Sequence, residues 1–310
     1  MPRMLTYQRM VAAGELDPRG PKLQIATPRL GSEPLFDKLR DRGFQVQTLS
    51  HAKAILQGDF PSAAVELEEV LLNAQVPIEE IIAGGGGEAK GTQRLRKGLQ
   101  GRGWATKTFT IVKNGEPREA ISHKMDHVKS FANPNEGGKE YTLALEIEWN
   151  NKDPFFDRDL ENFKRLHADG AISVGIIVTR GRSLHASMRE HVTRFVEKRK
   201  IRSLDDLTRW GYNPTIRQRN AIVKRFERAN NPLSFSQSFV AQFVSDKFGE
   251  ATTHWRKLED RVNRGVGNPC PLVLIGLPDS IVSFDEDETT VRELSPLRIK
   301  DESAGEPETE

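Results

Sequence analysis

Between Thr106 and Arg180 the apolar positions change period in an order that predicts three strands, a helix and a further strand. TKTFTIV, AISHKMDHVKSF and YTLALEIEW read as strands, divided by the turn signals NGE and NPNEGG. DPFFDRDLENFKRLHADG carries Phe156, Leu160, Phe163 and Leu166 on one face at helical spacing and meets a stop at Gly170. AISVGIIVTR is a short continuous apolar run of the kind a central strand needs.

Ahead of this block, FQVQTLSHAKAIL predicts a strand and then a helix, and SAAVELEEVLL a second helix with Ser62 as N-cap. The glycine run Gly84 to Gly87 breaks the chain, and a helix follows from about Glu88 to Gln100. Beyond Arg180 the stretch from Ser183 to Asn230 is mostly helical and strongly basic, THWRKLEDRVNRG is a later helix, and CPLVLIGL is another apolar strand. The fold class is α/β, with a mixed central sheet flanked by helices. One domain is expected over 44–284, preceded by an irregular lead-in over 1–43 and followed by a disordered acidic tail over 285–310.

Charge sharpens this outline. The total is +2, but Asp285 to Glu310 holds ten acidic and three basic residues, so the tail is −7 and the body before it +9. Such a body attracts a polyanion. A single cysteine, Cys270, excludes an internal disulfide framework and a multi-cysteine zinc site. No segment approaches the ~18 apolar residues of a membrane span, and the N-terminus has no signal-like apolar run, so a soluble, cytoplasmic protein is expected. AGGGGEAKGT lacks the G-K-[ST] order of a phosphate loop. His123 and His127 are four apart, which on a strand is too far to chelate one ion. They read as surface or packing residues, or as neighbours of a phosphate.

The unusual feature is a pair of glutamates in YTLALEIEW. Side chains alternate along a strand, so Glu146 and Glu148 share one face while Leu145, Ile147 and Trp149 share the other. Two adjacent carboxylates repel unless solvent or a cation compensates them, and a hard divalent ion held by oxygen is the natural cation. The turn at Asn133 to Gly138 lets the preceding strand pair antiparallel, which brings Asp126 across from Glu146. An exposed edge strand with solvated glutamates is the plain alternative. The apolar runs flanking this strand argue for a central position instead.

An acid on one strand, then acid, any residue and a third polar residue on the next, followed by helix and strand, resembles the PD-(D/E)XK nuclease core. GGGGEAKGTQRLRKGL, SHKMDHVK, LEIEWNNKDPFFDRDLENFKRLHADGAISVGIIVTR and TTHWRKLEDRVNRGVGNPCPLVLIGL together resemble type II restriction endonucleases of the BglII and BstYI type. The likeness runs from about residue 44 to 284. Met125 stands where the superfamily often has proline, and Glu148 where it often has lysine.

The resemblance implies a Mg2+-dependent enzyme that cuts double-stranded DNA at a short palindrome and leaves 5′-phosphates. Asp126, Glu146 and the backbone carbonyl of Ile147 are the implied metal ligands. Glu148 is a further ligand or orients the attacking water, and Glu88 is a candidate outer carboxylate, or else a residue that offsets a helix dipole. Asn150, Lys152, Lys124, Arg217 and Arg219 are candidate DNA contacts. A homodimer is expected, closed partly by the helix of Phe156, Leu160 and Phe163 and by helices after Ser183, with a cognate DNA methyltransferase in the same system that it does not bind. A repair or structure-selective nuclease on the same core, or an inactive DNA-binding module, are the competing readings.

Overall fold

The computed structural model describes residues 35–83, 88–113, 116–133, 136–228, 230 and 232–285, the side chains of 111–113 and 116–123 excepted. The chain divides at Pro34 and Leu35, and the described residues all belong to the second unit.

The apolar runs legible in the sequence form the middle of one six-stranded sheet. Its strands are β1 (Gln45–Leu49), β3 (Ala105–Lys113), β4 (Glu116–Asn133), β5 (Lys139–Glu148), β6 (Val174–Arg180) and β7 (Leu272–Leu277). A separate parallel pair joins β2 (Val76–Pro77) to β8 (Val282–Ser283). The spatial order is β1-β7-β6-β5-β4-β3, parallel through β7, β6 and β5 and antiparallel on either side. Every residue of β6 and β7 is buried, as parallel strands covered on both faces require.

Leu143, Leu145 and Val178 face a layer built by α1 (Asp37–Asp41), α2 (Ala52–Gly58), α3 (Pro61–Leu72), α4 (Ile78–Ala83) and α5 (Lys90–Gln100). The helix after β6, α7 (Arg182–Lys198), belongs to the same layer, and α8 (Leu204–Arg209), α9 (Ile216–Phe226) and α10 (Phe235–Phe248) extend it. The opposite face, with Ala144, Ile177 and Leu274, is covered by α6 (Phe155–Ala168) and α11 (Trp255–Asn263).

The helix that matters most for the site is α6. Asp157 in its first turn and Arg165 and His167 in its last complement the helix dipole. Phe156, Leu160 and Phe163 are fully buried, each contributing ~1.5–3 kcal/mol through burial. Gly170, at φ +69°, takes the left-handed conformation that ends the segment. Gly175 lets α6 come close, because a Cβ there would lie 2.6 Å from the Phe163 ring. That packing uses up the apolar face expected to close a dimer, so Phe156, Leu160 and Phe163 are core residues and not an interface.

Other departures are local. The lead-in expected to be irregular through residue 43 contains α1. Pro61 takes the first position of α3, with Phe60 before it, so Ser62 lies inside the helix and is not its cap. The helix expected from Glu88 starts at Lys90. Helix α10 was not foreseen, although Ser234 and Gln237 form a capping box at its start. The glycine run and the tail beyond Asp285 lie outside the described residues.

Candidate active site

The antiparallel register of β4 and β5 pairs His127 with Leu145 and Val128 with Ala144, so Asp126 continues opposite Glu146. The Asp126 N–H donates to Glu146 Oε1 at 3.1 Å. Against β3 the register slips: Ala105 faces Val128 but Lys107 faces Met125, which inserts one extra residue in β4. A bulge of this kind re-aims a side chain, and here Met125 is buried while Asp126 is exposed. Thr106 Oγ1 donates to the Asp126 carbonyl at 3.1 Å and steadies the bulge.

Glu146 and Glu148 share the α6 face, beside Ile177 and Thr179 of β6, and each is only 3% exposed. Glu148 Oε2 accepts from Asn151 Nδ2 at 2.7 Å, and Arg158 approaches its Oε1 at 3.6 Å. Arg158, half-exposed and stacked over Phe155, donates through Nε and a terminal nitrogen to Asp159 Oδ1 at 2.8 and 2.7 Å. Asp159 is 1% exposed, and it is a member of the site that sequence reasoning missed. A signal was present: positions 156, 159, 160 and 163 form one helical stripe, and a carboxylate in an apolar stripe is anomalous.

These carboxyls strain one another electrostatically. Burial, followed by the charges of Asp159 and Asp126, pushes Glu146 up to about 9, against the opposing Asp126 N–H. Burial and the Asp159 charge push Glu148 up to about 8, with Asn151 and Arg158 opposing. Asp159 is also raised, first by burial. One terminal nitrogen of Arg158 lies 2.7 Å from Asp159 Oδ1 and 3.6 Å from Glu148 Oε1, so the two buried carboxyls meet around a single guanidinium.

The donor set suits a hard divalent cation. Four carboxyls converge, three of them buried, and Arg158 is the cation that acts on Glu148 and Asp159. Oxygen ligands in a partly open cluster are what Mg2+ takes.

The remaining expected residues are dispersed. Glu88 pairs with Arg96 at 2.9 Å. Its charge acts on His127, and the charges acting most on Glu146 are those of Asp159, Asp126 and Glu148. His127 is buried, with Nδ1 donating to the Leu145 carbonyl, so it points to the opposite sheet face. His123 has its side chain outside the described set. Lys124 and Lys152 are exposed near the carboxylates in sequence, and Asn150 is half-buried. Arg217 and Arg219 are exposed on α9, which packs on α10 and through it on α7, in the layer over Leu145 and not over Glu146.

Arg180 fixes the loop that follows β5. Fully buried, it donates to the Trp149 carbonyl (2.7 Å), the Thr253 carbonyl (2.7 Å) and Thr252 Oγ1 (2.6 Å). Lys152 bridges Thr252, and the Thr253 N–H donates to the Asn151 carbonyl at 2.8 Å. Asn151 is thereby held where it can donate to Glu148.

A second group, His185, Glu250 and His254, has its ligand atoms within 4.8 Å of one another. It makes a poor metal site. Arg180 lies 3.2 Å from His185 Nδ1 and can only donate, so Nδ1 accepts and Nε2 carries the hydrogen directed at Glu250. The two imidazoles are stacked at 3.9 Å, and Arg256 holds Glu250 at 2.6 Å. The group is a stacked pair of neutral imidazoles beside the buried Arg180, with Arg256 as the counter-ion of Glu250.

The sequence model of the family "Restriction endonuclease BglII/BglIII" matches residues 44–277. The chain belongs to that family. No curated protein matches the chain. The match begins at Phe44, just before β1, and ends with the last residue of β7, so it spans the whole six-stranded sheet and all four carboxyls. A BglII-type member is a type II restriction endonuclease acting on DNA, and the mixed sheet flanked by helices agrees with that core. Among its described residues no helix is long and apolar enough to cross a membrane.

Proposed function

We propose that this restriction endonuclease hydrolyses double-stranded DNA at a short palindromic site with Mg2+, leaving 5′-phosphates. The observation that carries the reading is the pairing of exposed Asp126, beside the β4 bulge, with buried Glu146 across the β4–β5 register, with Glu148 two residues on. Asp126, Glu146 and the Ile147 carbonyl would hold the ion, and Glu148 would serve as a further ligand or orient water. Magnesium bound there supplies Lewis acidity toward a phosphate oxygen and lowers the pKa of water. The chain's own residues do the rest: Asn151 and Arg158 orient Glu148, and Arg180 keeps the loop of Asn150 and Lys152 against the strand end.

One chain offers one carboxylate cluster, so cutting both strands of a palindrome calls for two chains about an axis shared with the DNA dyad. Exposed Lys124 and Lys152, which flank the carboxylates in sequence, are proposed phosphate contacts that add salt-dependent affinity and no sequence reading, and Arg217 and Arg219 on the other layer are not assigned to the scissile site. Plasmid cleavage in Mg2+ against chelator, with the ends sequenced, tests the reading. Paired ends at one palindrome with 5′-phosphates support it. Cleavage undiminished in chelator sinks the metal assignment, and single-strand nicks by a monomer would favour a structure-selective nuclease.

A further inference from the structure

Asp159 has no role among the ligands assigned above, yet its place in the fold is costly. It lies one residue past the first turn of α6, where Asp157 already offsets the dipole, and it occupies the buried stripe with Phe156 and Leu160. Oδ1 is engaged by Arg158. Oδ2 is buried and has no hydrogen-bond partner among the described residues. A buried carboxylate oxygen without a donor is costly, and Arg158 engages Oδ1 alone, so it leaves Oδ2 unsatisfied. The Arg158 terminal nitrogen that holds Oδ1 at 2.7 Å also lies 3.6 Å from Glu148 Oε1, so Asp159 sits against the cluster.

We propose that Asp159 is a positioning residue of the metal site: with Oδ1 held by Arg158, Oδ2 accepts from a water of the site and keeps Glu148 turned toward the ion. This rests on the carboxylate site proposed above. The arrangement uses a helix and not a loop, so the distance from Asp159 to the strand is set by the packing of Phe163 on Gly175.

The test is Mn2+ binding to the full-length protein without DNA, by calorimetry and by the electron paramagnetic resonance of the ion. Asp159→Asn keeps Oδ1 and the side-chain volume, and it should weaken Mn2+ binding about 10–100-fold, the usual cost of losing an outer-shell partner. Arg158→Gln provides a second route should Asp159→Asn fail to fold. It removes the guanidinium that anchors Oδ1 and leaves Asp159 unheld, so Mn2+ should bind severalfold more weakly. Wild-type affinity in a folded Asp159→Asn, or unaltered affinity in Arg158→Gln, overturns the proposal. Asp126→Asn separates the two levels: if it too binds Mn2+ like the wild type, or the wild type binds none, the underlying site assignment has failed and Asp159 falls with it.

Discussion

Replacing Glu146 by Gln should stabilise the metal-free protein, and the gain should grow with pH. In the native state Glu146 keeps its proton to about 9, whereas its ordinary value is 4.5. Between those limits the native state binds more protons than the unfolded chain. The stability associated with this group is therefore complete below 4.5 and is lost as pH rises through about 9. At ~1.4 kcal/mol per pH unit, the loss reaches ~3 kcal/mol at about pH 7 and ~6 kcal/mol near about pH 9. Glutamine has the same shape, keeps an oxygen for the Asp126 N–H and carries no titrating proton, so it escapes that loss. For a domain of this size the gain at about pH 7 corresponds to roughly 6–12 °C in Tm. Thermal and urea unfolding in chelator at about pH 5, about pH 7 and about pH 9 reads it directly. A Glu146→Gln protein less stable than wild type, or an advantage that stays constant with pH, would refute the claim that Glu146 is a buried acid uncompensated in the absence of metal. The same variant should cleave no DNA.

Asp126→Asn should lower the cleavage rate by orders of magnitude while changing metal-free stability by less than ~1 kcal/mol, because the side chain is exposed; unfolding curves beside plasmid digestion check both halves. Glu148→Ala should cost orders of magnitude in rate by removing the carboxylate that Asn151 and Arg158 hold beside Glu146, whereas Glu148→Lys should retain more activity because it places there the residue type common at this position of the nuclease core. Wild-type rates from both would reduce Glu148 to a spectator. Gly175→Ala should destabilise the protein by ~1–3 kcal/mol, since its Cβ would meet the Phe163 ring at 2.6 Å; an unchanged urea midpoint would show that α6 is not so tightly seated.

Local period alone determined much of this protein. Alternation in YTLALEIEW put Glu146 and Glu148 on one face, the length of the turn after Asn133 brought Asp126 opposite Glu146, and the continuous apolar runs of β6 and β7 marked the inner strands. Each of these follows from interactions between residues near one another in the chain. Only the tertiary structure decided what that face would meet. Whether Phe156, Leu160 and Phe163 cover a sheet or a second chain depends on which surface packs against them, and the same stripe serves either. Asp159 joined the cluster because α6 folds back over β5 and Gly175 permits the close approach. Arg180 reaches Thr252 and Thr253 across more than seventy positions of sequence, and Asn151 donates to Glu148 from a loop that this clamp shapes. The high pKa of the two glutamates has the same origin. A carboxyl titrates normally in water, and burial beneath a helix whose own acid faces it is a property of packed elements that no local pattern carries.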